Sequence, residues 1–140
     1  MISRHDADEV LDALLEYLRD EGLITTWLKA HVALVRSKKA NEQNKASARQ
    51  FCFVVIGQHD IHYADALLKL PMNFFVGILL HEIAHMVVRE GRDPELDVDE
   101  WVIENVPDSG YEYRDVAYGH RRAANLECVS EKFVNMILDY

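Results

Sequence analysis

PMNFFVGILLHEIAHMVVREG, residues 71–91, decides how this chain is read. Pro71 suits the first turn of a helix, and Arg89, Glu90 and Gly91 close the apolar run that follows it. A helix over residues 72–88 is apolar nearly all round, so it belongs at the centre of the fold. Its polar residues therefore stand out. His81 and His85 are four apart, one turn along one helix face, so both imidazoles can reach a single metal ion. Glu82 lies beside them, placed to act on a metal-bound water. With 7 His and 12 Glu in 140 residues, a shuffled chain would contain His-Glu-x-x-His roughly 0.03 times, so the spacing carries information. Leaving such groups buried without a partner costs about 1–3 kcal/mol each, and a metal supplies one.

Upstream of this helix the pattern changes. Phe51-Cys52-Phe53-Val54-Val55-Ile56 is a run of strand formers ended by Gly57, and residues 61–64 read as its neighbour. His59 and His62 near the turn fall on opposite faces of a strand and make a poor metal pair. Residues 36–49 are polar and basic, with Arg36, Lys38, Lys39, Lys45 and Arg49 against Glu42. They read as a solvated loop. Leu28, Ala30, Val32 and Leu34 alternate as in a strand over residues 27–35; the segment also lacks helix breakers, so a second helix is the alternative to the favoured strand. Nearer the start, Asp6 and Glu9 resemble a capping box, and Leu11, Leu14, Leu15 and Leu18 give an amphipathic helix stopped at Gly22.

Downstream, residues 92–115 carry nine Asp or Glu against two Arg, with Pro107 and Gly110 as breakers. This reads as an irregular excursion with one short helix near residues 97–105. A final helix is predicted from about His120 to the C-terminus, with Leu126, Val129, Phe133, Met136 and Ile137 as its apolar face.

Composition bounds the function. The formal net charge of −9 disfavours nucleic acid, whose phosphates reward a basic surface. Two cysteines, Cys52 and Cys128, build no disulfide framework and suit a reducing compartment. The chain opens with no secretory signal, and its longest uncharged stretch, residues 70–80, is too short to cross a bilayer. The expectation is a single domain over residues 1–140, cytoplasmic, with no membrane association.

The His81-Glu82-Ile83-Ala84-His85 pattern resembles that of zinc metallopeptidases. Glu127-Cys128-Val129-Ser130-Glu131-Lys132-Phe133-Val134 resembles the second metal helix of the gluzincins, the thermolysin-like clan. In that clan a Glu ligand is followed four residues later by an acid that hydrogen-bonds a zinc-bound histidine. The resemblance spans residues 51–140 and points to a minimal gluzincin, or to a small phage or prokaryotic relative of the ImmA/IrrE-like proteins. It implies an α+β, zincin-like fold: a small twisted sheet packed on the His-Glu helix, and a C-terminal helix carrying the third metal ligand. It further implies one zinc ion per chain, held by His81, His85 and Glu127, with Glu131 orienting a ligand imidazole. Glu82 would be the general base on a zinc-bound water, and the substrate a peptide or protein.

The residues alone leave the third ligand open among Asp115, His120, Glu127, Cys128 and Glu131. His120 follows Gly119, a step that resembles the third-histidine site of the SprT-like zincins. If Glu127 ligates, His120 or one of Tyr111, Tyr113 and Tyr118 can stabilise an oxyanion. The contrasting reading is a catalytically silent zinc-binding regulatory or interaction protein that presents the acidic excursion as its surface. Glu82 argues against it, since a structural metal site needs no base.

Overall fold

A computed structural model describes residues 1–88, 93–117 and 123–140. Its order is α1 (Arg4–Asp20), α2 (Thr26–His31), β1 (Ala33–Arg36), α3 (Lys38–Ala46), β2 (Cys52–Val54), β3 (Asp60–Tyr63), α4 (Met72–Val87), α5 (Pro94–Asn105), β4 (Glu112–Val116), β5 (Ala124–Cys128) and α6 (Glu131–Leu138). The class is mixed α+β, with one sheet of three strands and one of two. No described helix is long and apolar enough to cross a membrane.

The first helix buries the leucine face that its spacing predicts. Its cap, however, is Ser3, whose hydroxyl accepts from the Asp6 N–H at 3.0 Å, and Asp6 sits in the first turn. Residues 27–35 divide between two elements rather than forming one strand. Thr25 caps α2, burying Leu28, and extended backbone begins only at Ala33. The basic tract is likewise a helix, α3, not a loop. Ser37 caps it, and its Lys, Ala, Glu and Gln favour helix even though only Ala40 and Asn44 are buried.

In the first sheet β3 lies in the middle. It pairs with β1 in parallel and with β2 antiparallel, in the register Cys52↔Tyr63, Phe53↔His62 and Val54↔Ile61. The buried strand expected over residues 51–56 is shorter and half-buried. Val55 and Ile56 are exposed as the chain turns at Gly57, whose φ is +82°. β2 is therefore an edge strand.

The end of the chain departs most from expectation. β4 and β5 form a hairpin in which Tyr113 faces Glu127 and Glu112 faces Cys128. Ala124, Leu126 and Cys128 are buried while Asn125 and Glu127 point the other way, which is the two-residue period of a strand. The C-terminal helix begins only at Glu131, capped by the Ser130 hydroxyl on the Phe133 N–H at 3.1 Å. Glu127 thus lies on a strand and Glu131 on the exposed first turn of the following helix. They share no helix face, and the C-terminal helix does not carry Glu127. Tyr118 and His120 lie outside the described residues.

The core forms around α4. Phe75, Leu79, Leu80 and Ile83 are fully buried, with Leu14, Leu15 and Leu18 of α1, Ile61 of β3 and Phe133 and Ile137 of α6. On the face toward the hairpin α4 has no side chain at Gly77. A Cβ there would come 2.6 Å from Cys128 Cα and 2.8 Å from Cys128 N. Helix and strand backbones are in contact at that point. Gly77→Ala is expected to destabilise the protein by about 1–3 kcal/mol, because overpacking against backbone outweighs the better helix propensity of Ala. A urea midpoint equal to or above that of the wild type would contradict this.

Candidate metal centre

The helical period that carries Gly77 to the hairpin carries His81, one turn on, into its neighbourhood. His81 is 3% exposed, Glu82 is buried, and His85 is half-buried. α5 then approaches from outside. Asp93 caps it by accepting from the Leu96 N–H at 3.2 Å, and Pro94 occupies the first turn. The helix therefore starts early enough to place Glu95 and Asp99 one turn apart on one face.

These two carboxylates take the two sides of His81. On the Nε2 side, His81 Nε2 lies 2.8 Å from Glu95 Oε2 and 3.1 Å from His85 Nε2, and His85 Nε2 lies 3.1 Å from Glu95 Oε1. Two imidazole nitrogens and one carboxylate, all within 4.8 Å of one another, form a group that could hold a metal ion. Tetrahedral zinc with bonds near 2.0–2.1 Å separates its donors by about 3.3 Å, so a small outward adjustment fits an ion among them. Glu95 itself is exposed, whereas both histidines are set into the fold.

On the other side, the His81 Nδ1–H reaches the Tyr111 oxygen at 2.9 Å and Asp99 Oδ1 at 3.3 Å. Asp99 Oδ1 also accepts from the hydroxyls of Tyr111 at 2.7 Å and Tyr113 at 3.1 Å. In the neutral imidazole this arrangement favours the proton on Nδ1 and would leave the Nε2 lone pair for a cation. Glu127 Oε1 stands 3.6 Å from the same Nδ1, too long for a hydrogen bond but close enough to act by charge.

The electrostatics are those of two imidazoles among four carboxylates. Burial pulls His81 below its ordinary pKa, but hydrogen bonds to Asp99 and Glu95 and the charges of Glu127 and Glu82 outweigh it, raising the imidazole to about 10 when no cation is bound. His81 in turn holds Glu95 below the usual carboxylate range. Asp99 would rise through burial, but its bonds from His81 and the tyrosines keep it low. Burial lifts Glu127. Burial also takes Glu82 up to about 7, with His81 opposing the rise and Glu127 and Glu95 adding to it.

The site lies in a cleft of about 730 Å³, walled on one side by residues 49–59 around β2 and on the other by His81, Glu82, His85, Glu95 and Glu127. Of the residues singled out from sequence, the structure thus brings together His81, Glu82, His85 and Glu127. Glu127 is placed on the Nδ1 side of His81 and Glu95 among the converging donors. Asp115 and Glu131 are exposed elsewhere. Cys128 is buried, its sulfur accepting from Arg114 Nε at 3.0 Å. Tyr111 and Tyr113 bind Asp99 and do not line the cleft. Glu95 and Asp99 were missed in the sequence, although their signal was there: Asp93-Pro94 is a helix start, and the pair has the Glu-then-acid spacing sought at residues 127 and 131. No protein family, curated protein or solved structure matches the chain.

Two measurements test the centre. Glu95→Ala should weaken zinc binding by at least about 10–100-fold, the loss typical of an outer-shell partner, with a smaller loss in Glu127→Ala and none in Glu131→Ala. A chelator competition in which Glu127→Ala is the weakest binder would reverse the assignment. A metal ion at Nε2 needs neutral His81, so its binding below pH 10 would expel that proton. Affinity is therefore expected to rise with pH, about tenfold per unit for each proton released. Calorimetry in buffers of different ionisation enthalpy reads this directly, and zinc uptake with no proton release would contradict it.

Proposed function

We propose that the chain is a zinc-dependent hydrolase of peptide bonds. What supports the reading above all is one convergence: His81, His85 and Glu95 meet on the floor of a cleft that Glu82 also lines. A zinc ion with three protein donors beside a cleft would keep a position for water or substrate, the pattern of catalytic rather than structural zinc sites. The resemblance to the gluzincins, noticed at residues 127–134, transfers better to Glu95 and Asp99, which have its Glu-then-acid spacing.

Zinc held there would supply a Lewis acid that polarises the scissile carbonyl and acidifies water. Glu82 takes the proton from the attacking water and delivers it to the leaving amine. Its buried setting lifts the carboxyl to about 7, and a dication held by His81, His85 and Glu95 would lower it again and favour the ionised base at neutral pH. Asp99 keeps His81 in the Nδ1–H tautomer. Cys52 is not the nucleophile: burial and the charges of Glu82 and Glu127 hold its thiol protonated.

Glu82→Gln keeps the shape of the base and removes its function. Zinc content and melting temperature should stay near wild type, while cleavage of a peptide library falls by at least ~10²-fold. Equal cleavage by both proteins would place catalysis elsewhere. Stoichiometric zinc with no cleavage by the wild type would favour a silent metal-binding role.

A further inference from the structure

Five arginines lie among the described residues, and four of them are held by carboxylates. Arg4 pairs with Asp8, Arg19 with Glu16, Arg36 with Asp65 and Arg114 with Glu112. Arg49 is the fifth. It is exposed, it is paired with none of the described carboxylates, and it lines the cleft that holds His81, Glu82, His85 and Glu95. In a chain of formal net charge −9, an arginine with no partner among the described carboxylates at such a place is conspicuous. Among the described residues that line the cleft it is also the one permanently cationic side chain.

The segment that presents it is anchored. The Gln50 N–H donates to Ser47 O at 3.1 Å, and Asn44 Nδ2 donates to Gln50 O at 2.8 Å. Arg49 therefore leaves the end of α3 at a fixed point, just before the edge strand β2. The same cleft is lined by Glu82, Glu95 and Glu127, whose negative charges disfavour an anionic ligand beside them. Arg49 gives such a ligand a favourable berth, and its planar fork of donors matches a carboxylate.

We propose that Arg49 determines specificity by receiving a carboxylate of the bound peptide, so that the site prefers anionic peptides. The inference rests on the peptide-hydrolase reading. The carboxylate is either an Asp or Glu side chain or the peptide's own C-terminus; both present the same group to a guanidinium.

The test uses zinc-loaded Glu82→Gln protein, in which bound peptide is not consumed, and reads binding by NMR titration. Three peptides differ in one feature: a Glu peptide with an amidated C-terminus, its Gln counterpart, and the Gln peptide with a free C-terminus. The expected result is that one carboxylate-bearing peptide binds about 5-fold tighter than the neutral one, as suits a solvent-exposed ion pair. Whichever peptide gains identifies the source of the carboxylate. The contrast should vanish when Arg49→Gln is added, survive in part with Arg49→Lys, and shrink as salt rises. Equal affinities, a contrast that persists with Arg49→Gln, tighter binding of a Lys peptide, or no measurable binding of either carboxylate peptide would overturn it. Cleavage by the wild type is scored separately. Cleavage without the contrast sinks the role of Arg49 alone, and the contrast without cleavage sinks the hydrolase reading alone.

Discussion

The backbones of α4 and β5 touch at Gly77, with no side chain between them. Much of the site follows from that contact. It fixes the hairpin against the one helix that is buried along most of its length, and the hairpin then delivers its polar face to the next turn of that helix. Glu127 comes to 3.6 Å from His81, and its cross-strand partner Tyr113 reaches Asp99. Asp99 in turn ties α5 to His81 through Nδ1, while Glu95 on the same helix face meets Nε2. A side chain at position 77 would push the hairpin outward and loosen the second layer of contacts around the imidazole.

Four carboxylates around two imidazoles make a local excess of negative charge in a partly dehydrated place. Such an arrangement is unfavourable unless cations balance it. The protonated His81 supplies one balancing charge, and a divalent ion among His81, His85 and Glu95 would supply two. The same crowding explains the divergent behaviour of chemically identical groups. Glu95 and Asp99, which touch His81 directly, are held low, while Glu82 and Glu127, more deeply enclosed, are raised. Glu82 and Glu95 differ by environment alone.

The central helix was legible because nothing else explains seventeen apolar-rich residues after Pro71, and its His-Glu-x-x-His spacing marked the site. The third donor was not, for two physical reasons. Leu126, Val129 and Phe133 recur at intervals of three and four, so a strand, a cap and a helix in succession imitate one helix. The true alternation of Ala124, Leu126 and Cys128 is only five residues long, and its pairing partner lies far enough away to be invisible locally. Residues 94–105 were hidden by their charge. A helix that packs with Val98 and Val102 alone has little apolar stripe to read, although Asp93-Pro94 announces its start. The same weakness concealed α3, whose buried residues are Ala40 and Asn44. Elements that bury only one or two side chains are the ones whose hydrophobic pattern is faint.

His85 and Glu95 are separated by only ten positions, and all three converging donors fall between residues 81 and 95. The loop that a bound ion would close is short, so the entropy lost on closing it is small. The tyrosines and the hairpin that refine the site come later in the chain. During synthesis or refolding, the two helices α4 and α5 could capture an ion before β4 and β5 exist. The ion would then hold them together while the slower, more distant strand pairing forms around it.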